Sequence, residues 1–211
     1  MLVVCNLSGG GAAFFRNAYM AAIKEDFVWC RFDKVGSAYE FIFEHTEGGG
    51  RAVKIPLDLM NEGVFAELLQ RLGVDEIFVN HLMELPSQMA DLVKNSPVPY
   101  SVFIHDYYYF CPEIHLYDWE NGCICKGKES VQKCSRCGRI SELEAASRRK
   151  TYGTLLEKAA AVIVPSEFVA KRICRLAGEL NLYVKPHYLP WLEGVFPAVP
   201  SVDNEWLFSD R

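Results

Sequence analysis

Leu2-Val3-Val4-Cys5-Asn6-Leu7-Ser8-Gly9-Gly10-Gly11 is a short apolar run broken by three glycines, and from Ala12 to Lys24 the residues Phe14, Ala18 and Ala21/Ala22 recur at helical spacing. The stretch reads as strand, glycine loop and helix. Glycines let the backbone approach a ligand closely, and unpaired N–H groups at a helix start favour an anion there. The loop therefore has three readings: a plain tight turn, contact of Gly9, Gly10 and Gly11 with a diphosphate, and a dinucleotide site. A dinucleotide fingerprint aligned on Gly9-x-Gly11 puts Phe14 where its third glycine belongs, although Asp33 stands roughly where a ribose-binding acid would follow the second strand. No Gly-Lys-Ser/Thr follows, which excludes a Walker loop.

The alternation continues down the chain. Phe27 to Phe32 reads as a second buried strand, and Tyr39 to His45 with Arg51 to Ile55 flank Glu47-Gly48-Gly49-Gly50 as a hairpin at a sheet edge. Leu57 to Leu72 is an amphipathic helix that stops at Gly73, Glu76 to Asn80 a strand, and Leu85 to Lys94 a helix closed by Ser96-Pro97-Val98-Pro99. Tyr100 to Ile104 is a strand running into His105-Asp106. Residues 106 to 140 show no period. Ser141-x-x-Glu144 opens a long helix as a capping box, Ala161 to Val164 is one more strand, and Ser166 caps a helix from Glu167 to Ala177. This order predicts an α/β fold, a Rossmann-like parallel sheet with helices on both faces. Ligands of such sheets sit beyond the carboxyl ends of the strands, which points to Ser8 to Gly11, His81, His105-Asp106 and Pro165-Ser166.

Composition narrows the class. The 211 residues are 50% hydrophobic, 13% aromatic and 23% charged, which fits a folding chain and excludes disordered and collagen-like classes. No apolar stretch approaches the ~20 residues of a membrane helix. Met1-Leu2-Val3-Val4-Cys5 lacks the basic front and long apolar core of a signal peptide, so the chain reads as cytosolic. The formal charge is −5, yet residues 126 to 150 hold eight basic and three acidic side chains, a local +5 against −10 elsewhere. An acidic body with one basic segment does not fit a general nucleic-acid binder.

Five of the eight cysteines, Cys111, Cys123, Cys125, Cys134 and Cys137, lie within 27 positions. In a reducing compartment such clustering favours metal ligation over a disulfide framework. Cys134-x2-Cys137 has the spacing of half a tetrahedral zinc site, and the other ligands would come from Cys111, Cys123 and Cys125. Lys126, Lys128, Lys133, Arg136 and Arg139 would offset the charge of a four-thiolate ion. Disulfides or free thiols are the alternative. A catalytic metal is not expected, because a four-thiolate site has no open position for water. Cys5, Cys30 and Cys174 read as small core residues.

His105 and Asp106 close a strand at the sheet's functional edge, where an imidazole beside a carboxylate could position a sugar hydroxyl or a phosphate; the alternative is a satisfied structural histidine. His81 ends the neighbouring strand in the same way, with loop packing as its alternative. The aromatic run Tyr107-Tyr108-Tyr109-Phe110 could stack on sugar rings or bury the cysteine loop against the domain. Arg148-Arg149-Lys150 reads first as a solvated helix face and second as an anion site.

Taken together, Ser8-Gly9-Gly10-Gly11-Ala12, Val79-Asn80-His81, Tyr100 to Ile104 with His105-Asp106-Tyr107-Tyr108-x-x-Cys111-Pro112, Cys125 with Cys134-x-x-Cys137, and Ala161-Val162-Ile163-Val164-Pro165-Ser166-Glu167-Phe168 resemble the N-terminal half of family 4 glycosyltransferases. The likeness is to the branch with a cysteine-bearing insert after the His-Asp strand, found among bacterial polysaccharide and lipopolysaccharide enzymes. It runs from about residue 2 to 190.

The resemblance implies a GT-B architecture and transfer of a sugar, with retention of configuration, from a nucleotide-sugar donor to a glycan or lipid-linked acceptor. Apart from the resemblance, Phe14 in place of the third glycine argues against NAD, and the closed four-thiolate site against a catalytic metal. By position, Gly10 and Gly11 match the loop that reaches the donor diphosphate and His105 the active-site histidine beside the transferred sugar; from their places at the same sheet edge, Gly9 is expected to join the diphosphate contacts, Asp106 to act with His105 as the catalytic pair, and His81, Tyr107 and Ser166 to face the acceptor and sugar. Cys111, Cys125, Cys134 and Cys137 match the cysteines of the insert, with Cys123 as an extra that could substitute as a ligand. Residues 1–188 would form the Rossmann-like domain, with the insert at about 106–140, and 189–211 the start of an interdomain linker.

The family's Glu-x7-Glu donor motif has no counterpart here, since Glu193 and Glu205 are twelve apart, so the chain is expected to need a C-terminal donor-binding domain. Such enzymes work in the cytoplasm, in peripheral contact with the inner membrane surface. The competing reading is a non-catalytic, zinc-stabilised Rossmann-like module that binds a partner through residues 106–140.

Overall fold

The computed structural model describes residues 1–5, 10–23, 27–35, 38–45, 52–112, 114–118, 121–125 and 140–186. Runs rich in β-branched and aromatic residues form the strands β1 (Leu2–Val4), β2 (Val28–Val35, whose second half is charged), β5 (Ile77–Val79), β6 (Tyr100–Phe103), β9 (Ala161–Val164) and β10 (Leu182–Val184), all parallel. Ala38–His45 (β3) and Val53–Pro56 (β4) add an antiparallel hairpin beside β2. The sheet order is β10-β9-β6-β5-β1-β2-β3-β4. Two short strands, β7 (Tyr117–Asp118) and β8 (Cys123–Ile124), pair separately in the cysteine-bearing segment.

Direction of travel along the sheet decides which face each helix covers. From β1 the chain moves to β2 through α1 (Gly10–Ile23); afterwards it crosses back to β5 and proceeds the other way through α2 (Glu62–Arg71), α3 (Gln88–Lys94), α4 (Glu142–Lys158) and α5 (Glu167–Ala177). Right-handed crossovers in opposite directions put helices on opposite faces. Accordingly, Phe15 of α1 packs with Val3, Phe78 and Phe103 on one face. On the other face Phe65, Leu69, Met89, Leu155 and Ile173 from the four later helices pack over Leu2, Val4, Ile77, Val79, Val102 and Val162. Alternate residues of each strand feed the two cores, so these central strands read as unbroken apolar runs.

Local chemistry sets the helix ends. Asn61 accepts from the Val64 N–H to start α2, so Leu57 to Met60 lie outside the helix as a turn and Leu59 is exposed. Gly73, with φ +63°, takes the left-handed position after the helix that a glycine accepts without a Cβ clash. The capping box of Ser141 and Glu144 is formed. No helix among the described residues is long and apolar enough to cross a membrane.

Three expectations change. Asp33 does not follow the second strand: β2 runs on to Val35, and Asp33 sits within it, ion-paired with Arg31 and opposite Glu40 of the hairpin. The helix after the glycine loop buries Phe15 with Ala18, while Phe14 is only half-buried. Cys5 and Cys30 are core residues, but Cys174 is exposed on α5.

Candidate functional site

The chain leaves β1 in one direction and returns to β5 on β1's other side, which opens a crevice at the carboxyl ends of these neighbouring strands. Cys5 stands at the end of β1, Asn80 and His81 at the end of β5, His105 and Asp106 beyond β6, and the α1 start at Gly10 faces them. Gly10 has φ +78°, a conformation side chains disfavour, and among the described residues nothing lies within 4 Å of the position a Cβ would take at Gly10 or Gly11. Gly9 lies outside the described residues.

His105 is held on three sides. Its ring stacks on Phe103 at 4.4 Å between centroids and meets the Phe15 edge at 5.1 Å, while Nε2 lies 3.0 Å from Asn80 Oδ1. Asn80 is fully buried, and its Nδ2 donates to the Ala12 carbonyl and to Cys5 Sγ. Arg16 of α1 also reaches Cys5 Sγ and lies over the Trp29 ring at 4.5 Å. Asn80 thus joins β1, α1 and the end of β6. Sequence reasoning placed no function on it; the available signal was a lone amide at the end of an apolar strand, where burial demands partners.

His81 has a different use from the ligand contact expected of it. It is wholly buried, and the Met83 N–H donates to its Nδ1 at 2.9 Å, so the ring proton is on Nε2 and is donated to Asp106 Oδ2 at 3.1 Å. The other carboxylate oxygen of Asp106 accepts from the Tyr108 N–H at 2.8 Å. Burial by itself would raise the Asp106 carboxyl; the hydrogen bond and electrostatic pull of His81, the Tyr108 N–H and nearby His105 outweigh it and hold the carboxyl below the ordinary aspartate value. Asp106 therefore organises the turn after β6.

The linkage has a definite sign. A folded value below that of an unfolded aspartate, about 3.9, makes the contribution of Asp106 complete above that pH and lost as pH falls through the lowered value. Asp106→Asn is expected to flatten the acid side of the stability curve between about pH 2 and pH 5, read by denaturant unfolding at each pH. An acid slope equal to wild type would remove this role.

The remaining expected residues spread along the same edge. Ser166 caps α5, its Oγ accepting from the Val169 N–H. Tyr107 is half-buried against the larger core, its hydroxyl pushed up by burial and eased by Arg172. Tyr109 and Phe110 are core residues, so within the aromatic run packing takes the second pair. Of Arg148-Arg149-Lys150, Lys150 is exposed as expected, while Arg148 is half-buried: its guanidinium lies 4.2 Å from the Tyr108 ring centroid and donates to the Tyr108 carbonyl, tying α4 to the turn. Among the described residues, cavities also lie outside the crevice. One of about 500 Å³ is bounded by Ser87, Pro112, Glu144 and Arg148; one of about 470 Å³ lies between the α2 start and α3.

Of the expected zinc ligands, Cys111 and Cys125 are partly exposed, Cys123 is exposed, and Cys134 and Cys137 lie outside the described residues. Among the described residues no three His, Cys, Asp or Glu side chains form a metal cluster. Backbone bonds from Cys111 to Tyr107, from Tyr107 to Ile114 and from Cys125 to Leu116 gather the first cysteines into one folded segment.

The arrangement places an imidazole fixed by stacking and an amide near the first turn of α1, and helix-start N–H groups are of the kind that suit an anion. No protein-family model matches the chain, and no curated protein or solved structure does.

Proposed function

We propose that the chain is the acceptor-side, Rossmann-like N-terminal domain of a retaining GT-B glycosyltransferase. It would act in polysaccharide or lipopolysaccharide synthesis, passing a sugar from a nucleotide-sugar donor to a glycan or lipid-linked acceptor. The observation that carries this reading is the approach of His105 to the first turns of α1, through Phe15 and through Asn80 to the Ala12 carbonyl, at the crevice between β1 and β5. Glycosyl transfer needs two features at such a place: stabilisation of a departing diphosphate, which helix-start N–H groups provide, and a group that orients a sugar beside it. His105 fills the second role. The donor nucleotide would be gripped mainly by a C-terminal domain. The test is transfer from a panel of nucleotide-sugars by a polypeptide that joins this chain to its donor-binding half. Transfer with retained configuration supports the proposal; failure with every donor overturns it in favour of a non-catalytic interaction module.

A structural zinc belongs to the same proposal, held by Cys111, Cys125, Cys134 and Cys137, with Cys123 as a substitute. The partly exposed thiols of Cys111 and Cys125 suit a donor set completed by two more thiolates. Elemental analysis is expected to find about one zinc per chain, and chelation to lower the melting temperature. A zinc-free protein with the same melting temperature would remove the site.

A further inference from the structure

The geometry points to His81 as a positioning residue that grips Asp106 from inside the fold and leaves both carboxylate oxygens as hydrogen-bond acceptors, so that the ligand group meeting Asp106 at the crevice is a donor, a hydroxyl rather than a phosphate. The Met83 N–H donates to His81 Nδ1 at 2.9 Å. A neutral imidazole has one ring hydrogen, which is therefore on Nε2 and goes to Asp106 Oδ2 at 3.1 Å. A ring turned over would set carbon against the Met83 N–H and against Asp106, and Tyr108 packs beside it at 5.5 Å between centroids. The other carboxylate oxygen takes the Tyr108 N–H at 2.8 Å. Both groups that grip the carboxyl are donors, which favours its deprotonated form. Burial works against that form, and the bond and pull of His81 lead the contributions that outweigh it.

The two partners differ in reach. His81 has 1% of its side chain exposed and Asp106 21%, so the ring works from behind while the carboxylate keeps an accessible part at the sheet edge. A carboxylate has about four acceptor positions; the two N–H groups take one on each oxygen. What remains suits a donor, whereas a phosphate brings acceptors and like charge. The titratable groups that share this field are His81, His105 and the buried Tyr109. Assigning the donor to a sugar hydroxyl rests on the proposed glycosyltransferase reading; the grip of His81 on Asp106 does not.

The test begins with the whole chain and no substrate. Carbon NMR of the aspartate carboxyls through an acid titration is expected to show Asp106 titrating below the ordinary value of about 3.9. His81→Phe, which fills the space and removes the donor, should move that titration upward; His81→Gln, whose amide can donate, should move it less. A carboxyl unmoved in folded His81→Phe overturns the grip, as does a wild-type His81 ring hydrogen found on Nδ1 by nitrogen NMR. If His81→Phe fails to fold, the wild-type ring assignment and the His81→Gln titration decide. In the polypeptide carrying both halves, His81→Phe is expected to raise KM for the acceptor about tenfold, the scale of a hydrogen bond to a charged group, with a smaller change in kcat and recovery in His81→Gln. An unchanged KM beside a shifted Asp106 overturns the ligand role. Absence of transfer by the wild type sinks the functional proposal and leaves the grip of His81 standing on the titration.

Discussion

Alanine at His105 is expected to lower kcat/KM for sugar transfer at least about a hundredfold in the polypeptide carrying both halves, in line with the loss of a positioned acid, base or orienting group. The fold should survive, because His105 lies at the crevice rim, half-buried, while the strands beneath it are packed through Val102, Phe103 and Ile104. Measuring kcat/KM together with the melting temperature separates the two effects. Undiminished transfer in a folded His105→Ala protein would remove His105 from the chemistry. A drop accompanied by unfolding would mark it as a packing residue, the structural alternative that its stacking on Phe103 also permits.

Phe103→Ala should produce the largest loss of stability, about 3 to 5 kcal/mol. Phe103 is 1% exposed and packs against Phe15 with tilted rings 4.2 Å apart at their centroids, in the smaller of the two cores, where α1 is the helix contributing among the described residues. Removing a benzyl group from this packed site leaves a cavity, and the cost rises with the volume that the surroundings do not refill. Phe103 is also the floor beneath His105. Urea unfolding reads the first effect. A loss under about 1 kcal/mol would mean that the α1 face repacks freely, well below the usual cost for a buried phenylalanine.

Much of the fold was legible because its signals are local. Ala161 to Val164 and the helix from Glu167 to Ala177 appear with the expected bounds, and the Ser141 capping box forms as its spacing requires. Short elements escaped. Leu182–Val184 is too brief for any period, and it becomes a strand only because β9 offers an unfilled edge. The β7 and β8 pair depends on a turn at Gly122, with φ +62°, inside a stretch that has no hydrophobic pattern. At the site, strand order could be guessed well enough to bring His105, His81 and the glycine loop to one edge. Which histidine faces the crevice could not, since that depends on where Met83 and Asn80 direct their polar atoms. Arg148 was misread for a related reason: helical position gives a face, but only tertiary packing supplies the Tyr108 carbonyl forty residues away.

That contact between Arg148 and Tyr108 bears on how such a protein can change over generations. It joins the turn that enters the cysteine-bearing segment to the helix that follows it, so both ends of the segment are anchored independently of what lies between them. Closing a longer loop between fixed ends costs little, about 0.6 kcal/mol for each doubling of its length. A change in the length of the stretch between Cys111 and Ser141 therefore adds little entropic cost to the contact that closes it, and variation in that length is compatible with an unchanged sheet register.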